Sequence, residues 1–202
     1  MRVIAGQFKG RRLKSPTWDG LRPTSDKLRE TLFNIVAPRI EGARVLDGYA
    51  GTGAVGIEAL SRGAAHVTFI EQDRRAAALI EENLANCGVK ADYTIEIGDT
   101  VAVLKALASP KRSRNAVEAF RQTGREGGTQ AFDLIWLDPP YDFTNVRAAL
   151  ETAARALDPA GLLVLERATR RDPEVPVSLV RTRDVKSGDS TLTFLALSTG
   201  TP

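Results

Sequence analysis

The sequence VLDGYAGTGAVG, residues 45–56, decides how this chain is expected to fold. It begins with apolar residues that suit a buried strand and continues through a glycine-rich loop into a helical pattern. Glycine lets the backbone turn sharply and approach a ligand closely where a helix begins. A strand, a glycine loop and a helix in this order are typical of a parallel sheet that binds its ligand at the carboxyl end of the strand.

The rest of the chain repeats this unit. Predicted strands cover residues 44–47, 67–71, 93–97, 132–137 and 162–166. Predicted helices cover residues 53–62, 74–86, 101–108 and 146–157. Two further β-rich stretches, residues 178–185 and 191–197, flank the turn sequence SGDS and predict an antiparallel hairpin. The pattern therefore predicts an α/β, Rossmann-like fold with a seven-stranded, mostly parallel sheet, a terminal antiparallel strand and helices on both faces.

Charge divides the chain into two predicted regions. Residues 1–38 are expected to form a basic N-terminal extension with a lead-in helix capped at Ser25, and residues 39–202 the main domain. Residues 1–30 carry eight basic and three acidic side chains, although the net charge of the whole chain is only +3. Such a concentration suits a surface that contacts a polyanion, the alternative being a solvated arm. Within the main domain, the polar and basic residues 109–131 are predicted to be a mobile loop.

Composition excludes several classes of protein. No apolar run approaches the ~20 residues that span a bilayer, and the N-terminus lacks an apolar signal core, so we expect a cytoplasmic protein without membrane contact. The single cysteine excludes an internal disulfide. With one histidine as well, the chain gives little support to a metal site or to Ser-His-Asp catalysis. No sequence pattern predicts an oligomer, so a monomer is expected.

The tetrapeptide Asp138, Pro139, Pro140 and Tyr141 directly follows a predicted strand and carries the expected chemistry. The Asp138 carboxylate and the rigidly aimed Pro139 carbonyl are placed to accept hydrogen bonds from both N–H groups of an exocyclic amine. Accepting those bonds leaves the lone pair of the nitrogen directed at an electrophile. Tyr141 is placed to stack on an unpaired base. We expect these residues to be catalytic, the alternative being a strand followed by a Pro-Pro turn.

The glycine loop allows two cofactors. Gly51, Gly53 and Gly56, with Glu71 twenty residues after the first of them, match the dinucleotide fingerprint, so an NAD-linked oxidoreductase is one alternative. Asp47 argues against it, because a carboxylate at the strand end would repel a pyrophosphate. S-adenosylmethionine is cationic and free of phosphate, and it suits the acidic strand ends better.

The acidic residues at the strand ends then have expected roles in cofactor binding. Glu71 is placed to accept the ribose hydroxyls, and Asp99 the adenine amine, although Asp99 is equally suited to capping a helix. The residues expected to bind the cofactor are Asp47, Gly48, Ala50, Gly51, Gly53, Glu71, Gln72, Asp99 and Thr100.

Two sequence blocks carry a family resemblance. VLDGYAGTGAVGIEALSRGA (residues 45–64) and RPTSDKLRETLFN (residues 22–34), together with the tetrapeptide, resemble the RsmD-type 16S ribosomal RNA guanine-N2 methyltransferases over residues 2–197. The resemblance implies a class I, S-adenosylmethionine-dependent methyltransferase. Its implied substrate is N2 of one guanine of 16S rRNA, within a small ribosomal subunit or an assembly intermediate. The pair Gly48-Tyr49 departs from the bulkier Leu-Phe or Leu-Tyr usual in that family.

The resemblance also implies that the basic N-terminal segment contacts RNA. The residues expected there are Arg11, Arg12, Arg22, Thr24 and Lys27. Arg22 and Thr24 either face the target base or simply lead into the cap at Ser25. Adenine-N6 modification of DNA or RNA is the nearest alternative, because the tetrapeptide serves that amine equally well. Glutamine methylation is less supported, since Asn is usual at the first position of that motif, and a non-catalytic nucleic-acid-binding module is the alternative from another class.

Overall fold

The computed structural model describes residues 1–18, 24–109, 131–140 and 143–199. Its strands are β1 Arg44–Gly48, β2 His66–Glu71, β3 Tyr93–Ile97, β4 Phe132–Leu137, β5 Leu157–Ala168, β6 Leu179–Ser187 and β7 Ser190–Leu197. Its α-helices are α1 Asp26–Val36, α2 Ala54–Ser61, α3 Arg74–Cys87, α4 Thr100–Leu107 and α5 Val146–Ala156, and a 3₁₀ turn at Ala37–Arg39 follows α1. Among the described residues, no helix has both the length and the apolar content needed to cross a bilayer.

The strands form one seven-stranded sheet in the order β3-β2-β1-β4-β5-β7-β6. All pairs from β3 to β5 are parallel, whereas β7 is antiparallel to both β5 and β6. The predicted α/β fold with its antiparallel hairpin is confirmed. The chain moves outward from β1 to β3 and then returns to β4 on the other side of β1. The strand order therefore reverses between β1 and β4, which is where open α/β sheets bind ligands.

Two apolar cores lie on opposite faces of the sheet. One includes Leu32 of α1, Ile57 of α2 and Trp136 of β4, and the other includes Leu150 of α5 and Ile135 of β4. Neighbouring residues of β4 are both buried because successive side chains of a strand point to opposite faces. Continuous burial of this kind explains why residues 134–137 of β4, after Asp133, are all apolar.

The N-terminal extension packs against the main domain. Arg2 and Arg12 form an antiparallel bridge, and the buried Val3 and Leu13 belong to the first apolar core. Glu58 of α2, which is fully buried, accepts hydrogen bonds from the backbone N–H groups of the extension at 2.8 and 3.0 Å. Helix α1 begins as predicted, because the Ser25 hydroxyl accepts from the Leu28 N–H at 3.2 Å.

The structure corrects the predicted start of one strand in the main domain. Strand β5 begins at Leu157 rather than at residue 162, so it includes Pro159 and Gly161, which lie between the predicted helix and the predicted strand. Phe132 pairs with Leu157 and Leu134 with Leu162, so the extra residues form a bulge that interrupts the ladder without ending it. The loop predicted for residues 109–131 lies almost wholly outside the described residues, which exclude residues 110–130.

Candidate active site

A cavity of about 800 Å³ opens at the carboxyl edge of the sheet. This volume is typical of a site for a small molecule or cofactor. Four acidic residues at or near the carboxyl ends of four strands line it: Asp47, Glu71, Asp138 and Glu166. Parallel strands bring these acids together because their carboxyl ends share one edge of the sheet. Trp18 of the extension and the β6–β7 turn also line the cavity.

The loop between β1 and α2 is held in an unusual backbone conformation. Tyr49, Gly51 and Gly53 have positive φ angles of 63°, 57° and 74°. Only Tyr49 of the three carries a strain cost, because side chains disfavour this region. The Gly51 N–H donates to Glu71 Oε2 at 2.8 Å, so the acid that ends β2 fixes the loop. Ala50 and Gly51 line the cavity, whereas Gly53 is the N-cap residue of α2 and does not line it.

Two glycines near this loop are required by close packing. A Cβ on Gly56 would lie 2.2 Å from Cε1 of Phe69, so α2 reaches β2 only because this residue has no side chain. A Cβ on Gly48 would lie 2.7 Å from Cδ2 of Leu137, with Thr100 also close. Neighbouring side chains therefore fill the space that the bulkier residue usual at Gly48 would occupy, and Gly48 does not line the cavity.

Asp47 is the most deeply buried of the cavity acids. Its side chain is 1% exposed, and its Oδ2 accepts the Gly56 N–H at 2.8 Å. Burial, opposed by the hydrogen bond from Gly56 and assisted by the charge of the nearby Glu71, raises the pKa of Asp47 to about 8. A cation bound in the cavity would favour the ionised form, because an opposite charge offsets the cost of burial.

Glu71 and Gln72 lie at the end of β2. Both Glu71 oxygens accept backbone hydrogen bonds at 2.8 Å, Oε2 from Gly51 and Oε1 from Asp73. Each carboxylate oxygen has two lone pairs, so each retains one for a ligand hydroxyl. Gln72 lines the same part of the cavity. The structure therefore places Glu71 where it can bind a ribose, and that role stays a prediction.

Asp99 and Thr100 lie at the start of α4. The Asp99 carboxylate caps the helix by accepting the Ala102 N–H at 2.9 Å, and the residue does not line the cavity. Asp99 therefore has the helix-capping role that was the alternative for it, whereas its contact with the adenine amine stays a prediction. Thr100 does line the cavity. The phenol of Tyr49 lies beside both residues, and burial raises its pKa well above the ordinary value.

Asp138 lies directly after β4, at the centre of the cavity wall. Thr24 donates its hydroxyl to Asp138 Oδ2 at 3.3 Å, and the carboxyl groups of Asp138 and Glu166 are in hydrogen-bonding contact. Burial, followed by the charge and hydrogen bond of Glu166, raises the pKa of Asp138 well above its ordinary value. Pro139 and Pro140 both line the cavity. The Pro140 carbonyl accepts the Phe143 N–H at 2.8 Å, while Tyr141 lies outside the described residues.

Two site residues were missed by the sequence reasoning. Glu166 is the last residue of the strand predicted over residues 162–166, as Glu71 is of the strand predicted over residues 67–71, and this shared pattern would have been sufficient to find it. Its Oε1 accepts the Ser190 hydroxyl at 2.9 Å. Ser190 had no comparable signal, because only the insertion of β7 beside β5 brings the hairpin turn to the cavity.

The residues expected to bind RNA occupy different places. Arg11 and Arg12 are exposed on the extension, and Lys27 is exposed at the rim of the cavity that Thr24 also lines. Arg22 lies outside the described residues. Arg29, which contributes to the basic charge of the N-terminal segment, is fully buried. It donates to Asp26 and to the Arg2 carbonyl at 2.7 Å, so it stabilises the extension rather than adding to a surface.

The cavity fits S-adenosylmethionine. Its buried Asp47 is suited to a cationic group, Glu71 retains acceptor capacity, and the glycine loop permits close approach of a ligand to the backbone.

Comparison with known proteins agrees with this geometry. The family model described as Conserved hypothetical protein 95 matches residues 1–196. Ribosomal RNA small subunit methyltransferase D of Escherichia coli (strain K12) is 38% identical over 166 residues, covering 82% of this chain and 71% of that protein. The protein of the same name from Haemophilus influenzae is 34% identical over 168 residues, covering 82% and 78%.

The structural comparison extends over nearly the whole chain. The solved structure of yhhF from Escherichia coli has a TM-score of 0.76 at 30% identity and covers 98% of this chain and 97% of its own. Sequence, fold and cavity therefore agree, and the chain belongs to the ribosomal RNA small subunit methyltransferase D (RsmD) family of S-adenosylmethionine-dependent methyltransferases.

Proposed function

We propose that this protein transfers the methyl group of S-adenosylmethionine to the exocyclic N2 amine of one guanine of 16S rRNA. The substrate is a small ribosomal subunit or an assembly intermediate, and the protein acts as a cytoplasmic monomer. The observation that carries the proposal is the position of Asp138. Its carboxyl group lies in the same cavity as Asp47 and Glu71, so an amine held by Asp138 would meet a cofactor held by the other two.

The acceptors for the amine lie side by side at the end of β4. Asp138 presents a carboxyl group to the cavity, and Pro139 follows it with a fixed φ angle. Asp138 and the Pro139 carbonyl accept the two N–H bonds of N2, which orients its lone pair toward the cofactor. Thr24 steadies Asp138 through the 3.3 Å hydrogen bond to Oδ2.

The bound cofactor supplies a methyl group on a sulfonium, which is a good leaving group. The protein's contribution is therefore mainly to position the amine, and well-oriented reacting pairs can gain several orders of magnitude in rate. As the new N–C bond forms, the nitrogen loses a proton, for which Asp138 or water is the acceptor. The raised pKa of Asp138 favours acceptance by this carboxylate.

The basic side chains outside the cavity supply the RNA contacts. Arg11 and Arg12 on the extension and Lys27 at the cavity rim are exposed, as phosphate contacts require. Relatives named for the small ribosomal subunit support 16S rRNA as the polyanion. Tyr141 is proposed to stack on the flipped guanine.

The test uses small ribosomal subunits from cells that lack this enzyme. They are incubated with the protein and methyl-labelled S-adenosylmethionine, the RNA is digested, and the labelled nucleoside is identified by mass spectrometry. We expect N2-methylguanosine. We also expect Asp138→Ala to lower the rate more than tenfold, a barrier increase above ~1.4 kcal/mol, with little change in cofactor affinity.

Asp138→Asn is the matched control, because its amide retains one acceptor oxygen and should lose less activity than the alanine variant. N6-methyladenosine as the labelled product would contradict the proposed substrate while leaving methyl transfer intact. An Asp138→Ala variant with more than a tenth of the wild-type rate would remove Asp138 from the role assigned to it.

A further inference from the structure

Glu166 is a buried acid in the active site that the mechanism above does not use. It lies in β5 directly after Leu165, which pairs with Leu137 of β4, so it neighbours Asp138, the residue that follows Leu137. Its side chain is 6% exposed and lines the cavity. The Ser190 hydroxyl holds its Oε1 at 2.9 Å, as Thr24 holds Asp138.

The two carboxyl groups form one paired acceptor surface. They are in hydrogen-bonding contact with each other and both lie on the cavity wall. A hydroxyl donor holds each group, Ser190 for Glu166 and Thr24 for Asp138. A ligand in the cavity therefore meets two adjacent carboxyl groups of defined orientation.

Purine bases differ at the edge that would meet this pair. Guanine presents two donors side by side, N1–H and an N2–H. Adenine presents its N6–H beside N1, which is an acceptor. When both carboxyl groups are ionised, they accept two hydrogen bonds and donate none, so the ionised pair matches guanine and opposes the N1 lone pair of adenine.

We propose that Glu166 accepts the N1–H of the target guanine while Asp138 accepts the neighbouring N2–H, so that the pair selects guanine over adenine. The proposal rests on the proposed function and assigns the choice of base to a named residue. It also sets the orientation of the base: Asp138 takes the N2–H on the N1 side, and the Pro139 carbonyl takes the other.

The energetics favour a role for Glu166 in ligand binding over one in stability. Burial raises the pKa of Asp138, and repulsion from Glu166 raises it further, because two acids in contact repel each other when both are ionised. Replacing buried charged groups with apolar residues is often neutral or stabilising. The N1–H and N2–H donors of guanine instead give each carboxylate a hydrogen bond, whereas a base without N1–H cannot donate to Glu166.

The test compares guanine with 2-aminopurine at the target position. 2-Aminopurine retains the N2 amine that receives the methyl group, but its N1 is an acceptor. Small subunits are reconstituted from 16S rRNA that carries one base or the other at the mapped site, and kcat/KM is measured for each. For the wild-type protein we expect a preference for guanine of at least about tenfold, because 2-aminopurine loses the hydrogen bond from N1–H and turns the N1 lone pair toward a buried carboxylate.

Glu166→Gln is the decisive variant, because a carboxamide can accept N1–H from guanine or donate to N1 of 2-aminopurine. We expect the ratio of the two kcat/KM values to fall at least about tenfold. Comparing the ratio across variants cancels the intrinsic reactivity difference between the bases. Glu71→Gln, assayed at saturating cofactor, is the matched control and should leave the ratio unchanged, because Glu71 lies at the cofactor end.

Ser190→Ala provides a second variant if Glu166→Gln does not fold. Loss of the hydroxyl that orients Glu166 should lower the ratio in the same direction but by less. The assignment of Glu166 is overturned if the ratio stays unchanged in both variants while N2-methylguanosine is still the product on guanine. If Glu166→Gln does not fold, an unchanged ratio in Ser190→Ala alone overturns it. Either result leaves the proposed function intact. A labelled product other than N2-methylguanosine overturns the proposed function itself, and the assignment with it.

Discussion

Replacing Asp47 by asparagine should make the cofactor-free protein more stable at alkaline pH. The Asp47 carboxyl is 1% exposed, and burial raises its pKa from 3.8 to about 8. An acid whose pKa is higher in the folded state binds its proton more tightly there than in the unfolded state. Its contribution to stability is therefore complete below the unfolded pKa and is lost as the pH rises through the folded pKa. Wild-type stability should therefore fall between about pH 4 and pH 8 relative to Asp47→Asn.

The size of the effect follows from the shift. Four pKa units correspond to about 6 kcal/mol, which is an upper bound for a fully desolvated group. Asp47 lines a cavity that admits water, and relaxation reduces the cost of burying a charge, so we expect about 3 kcal/mol. The asparagine oxygen can still accept the Gly56 N–H that Oδ2 accepts at 2.8 Å, so the loop itself should remain in place.

Urea unfolding of both proteins from pH 4 to pH 9 measures the difference in unfolding free energy directly. Asp158→Asn, a partly exposed carboxylate at the start of β5, controls for the change from acid to amide. A wild-type curve that stays parallel to that of Asp47→Asn within about 0.5 kcal/mol over this range would refute the reasoning. Saturating S-adenosylmethionine should reduce the difference at alkaline pH, because a bound cation favours the carboxylate.

Three further outcomes follow from the site and its scaffold. Glu71→Ala should weaken cofactor binding at least tenfold, or ~1.4 kcal/mol, and calorimetry showing an unchanged Kd would exclude Glu71 from the ribose site. Arg11→Ala with Arg12→Ala should weaken RNA binding and reduce the slope of log K against log salt by about one unit per lost phosphate contact, whereas an unaltered slope would return both residues to the solvated-arm interpretation. Gly56→Ala should lower the unfolding free energy by roughly 1–3 kcal/mol through the 2.2 Å contact with Phe69. Phe69→Leu should recover part of that loss, and additive effects of the two changes would contradict a direct clash.

The main features of the fold were predictable from local signals. Ser25 caps α1 because its hydroxyl accepts the orphan N–H of the first turn, and the same rule placed the start of the helix correctly. The apolar run of β4 predicted a strand buried on both faces. The bulge in β5 was missed because Pro159 and Gly161 are ordinary loop residues in sequence, and only pairing with β4 keeps them in a strand.

The number of basic residues in the N-terminal segment predicted its surface less well than the position of each residue does. Arg29 contributed to the predicted basic surface, yet it is buried and hydrogen-bonded to Asp26 and to the extension. Sequence reports that a side chain is basic, whereas burial depends on which helix face packs inward. The exposed Arg11 and Arg12 are therefore better candidates for RNA contact than the segment's total charge indicated.

The sequence alone determined the βα repeat, the glycine loop, the family and the acids that end strands, because each depends on residues close together in the chain. Tertiary structure alone decided which of those acids share a cavity and in which pairs. Strand order sets that outcome, and it depends on packing between segments that are distant in sequence. It places Glu166 beside Asp138 and brings Ser190 to the site through β7, while Asp99 stays at a helix cap.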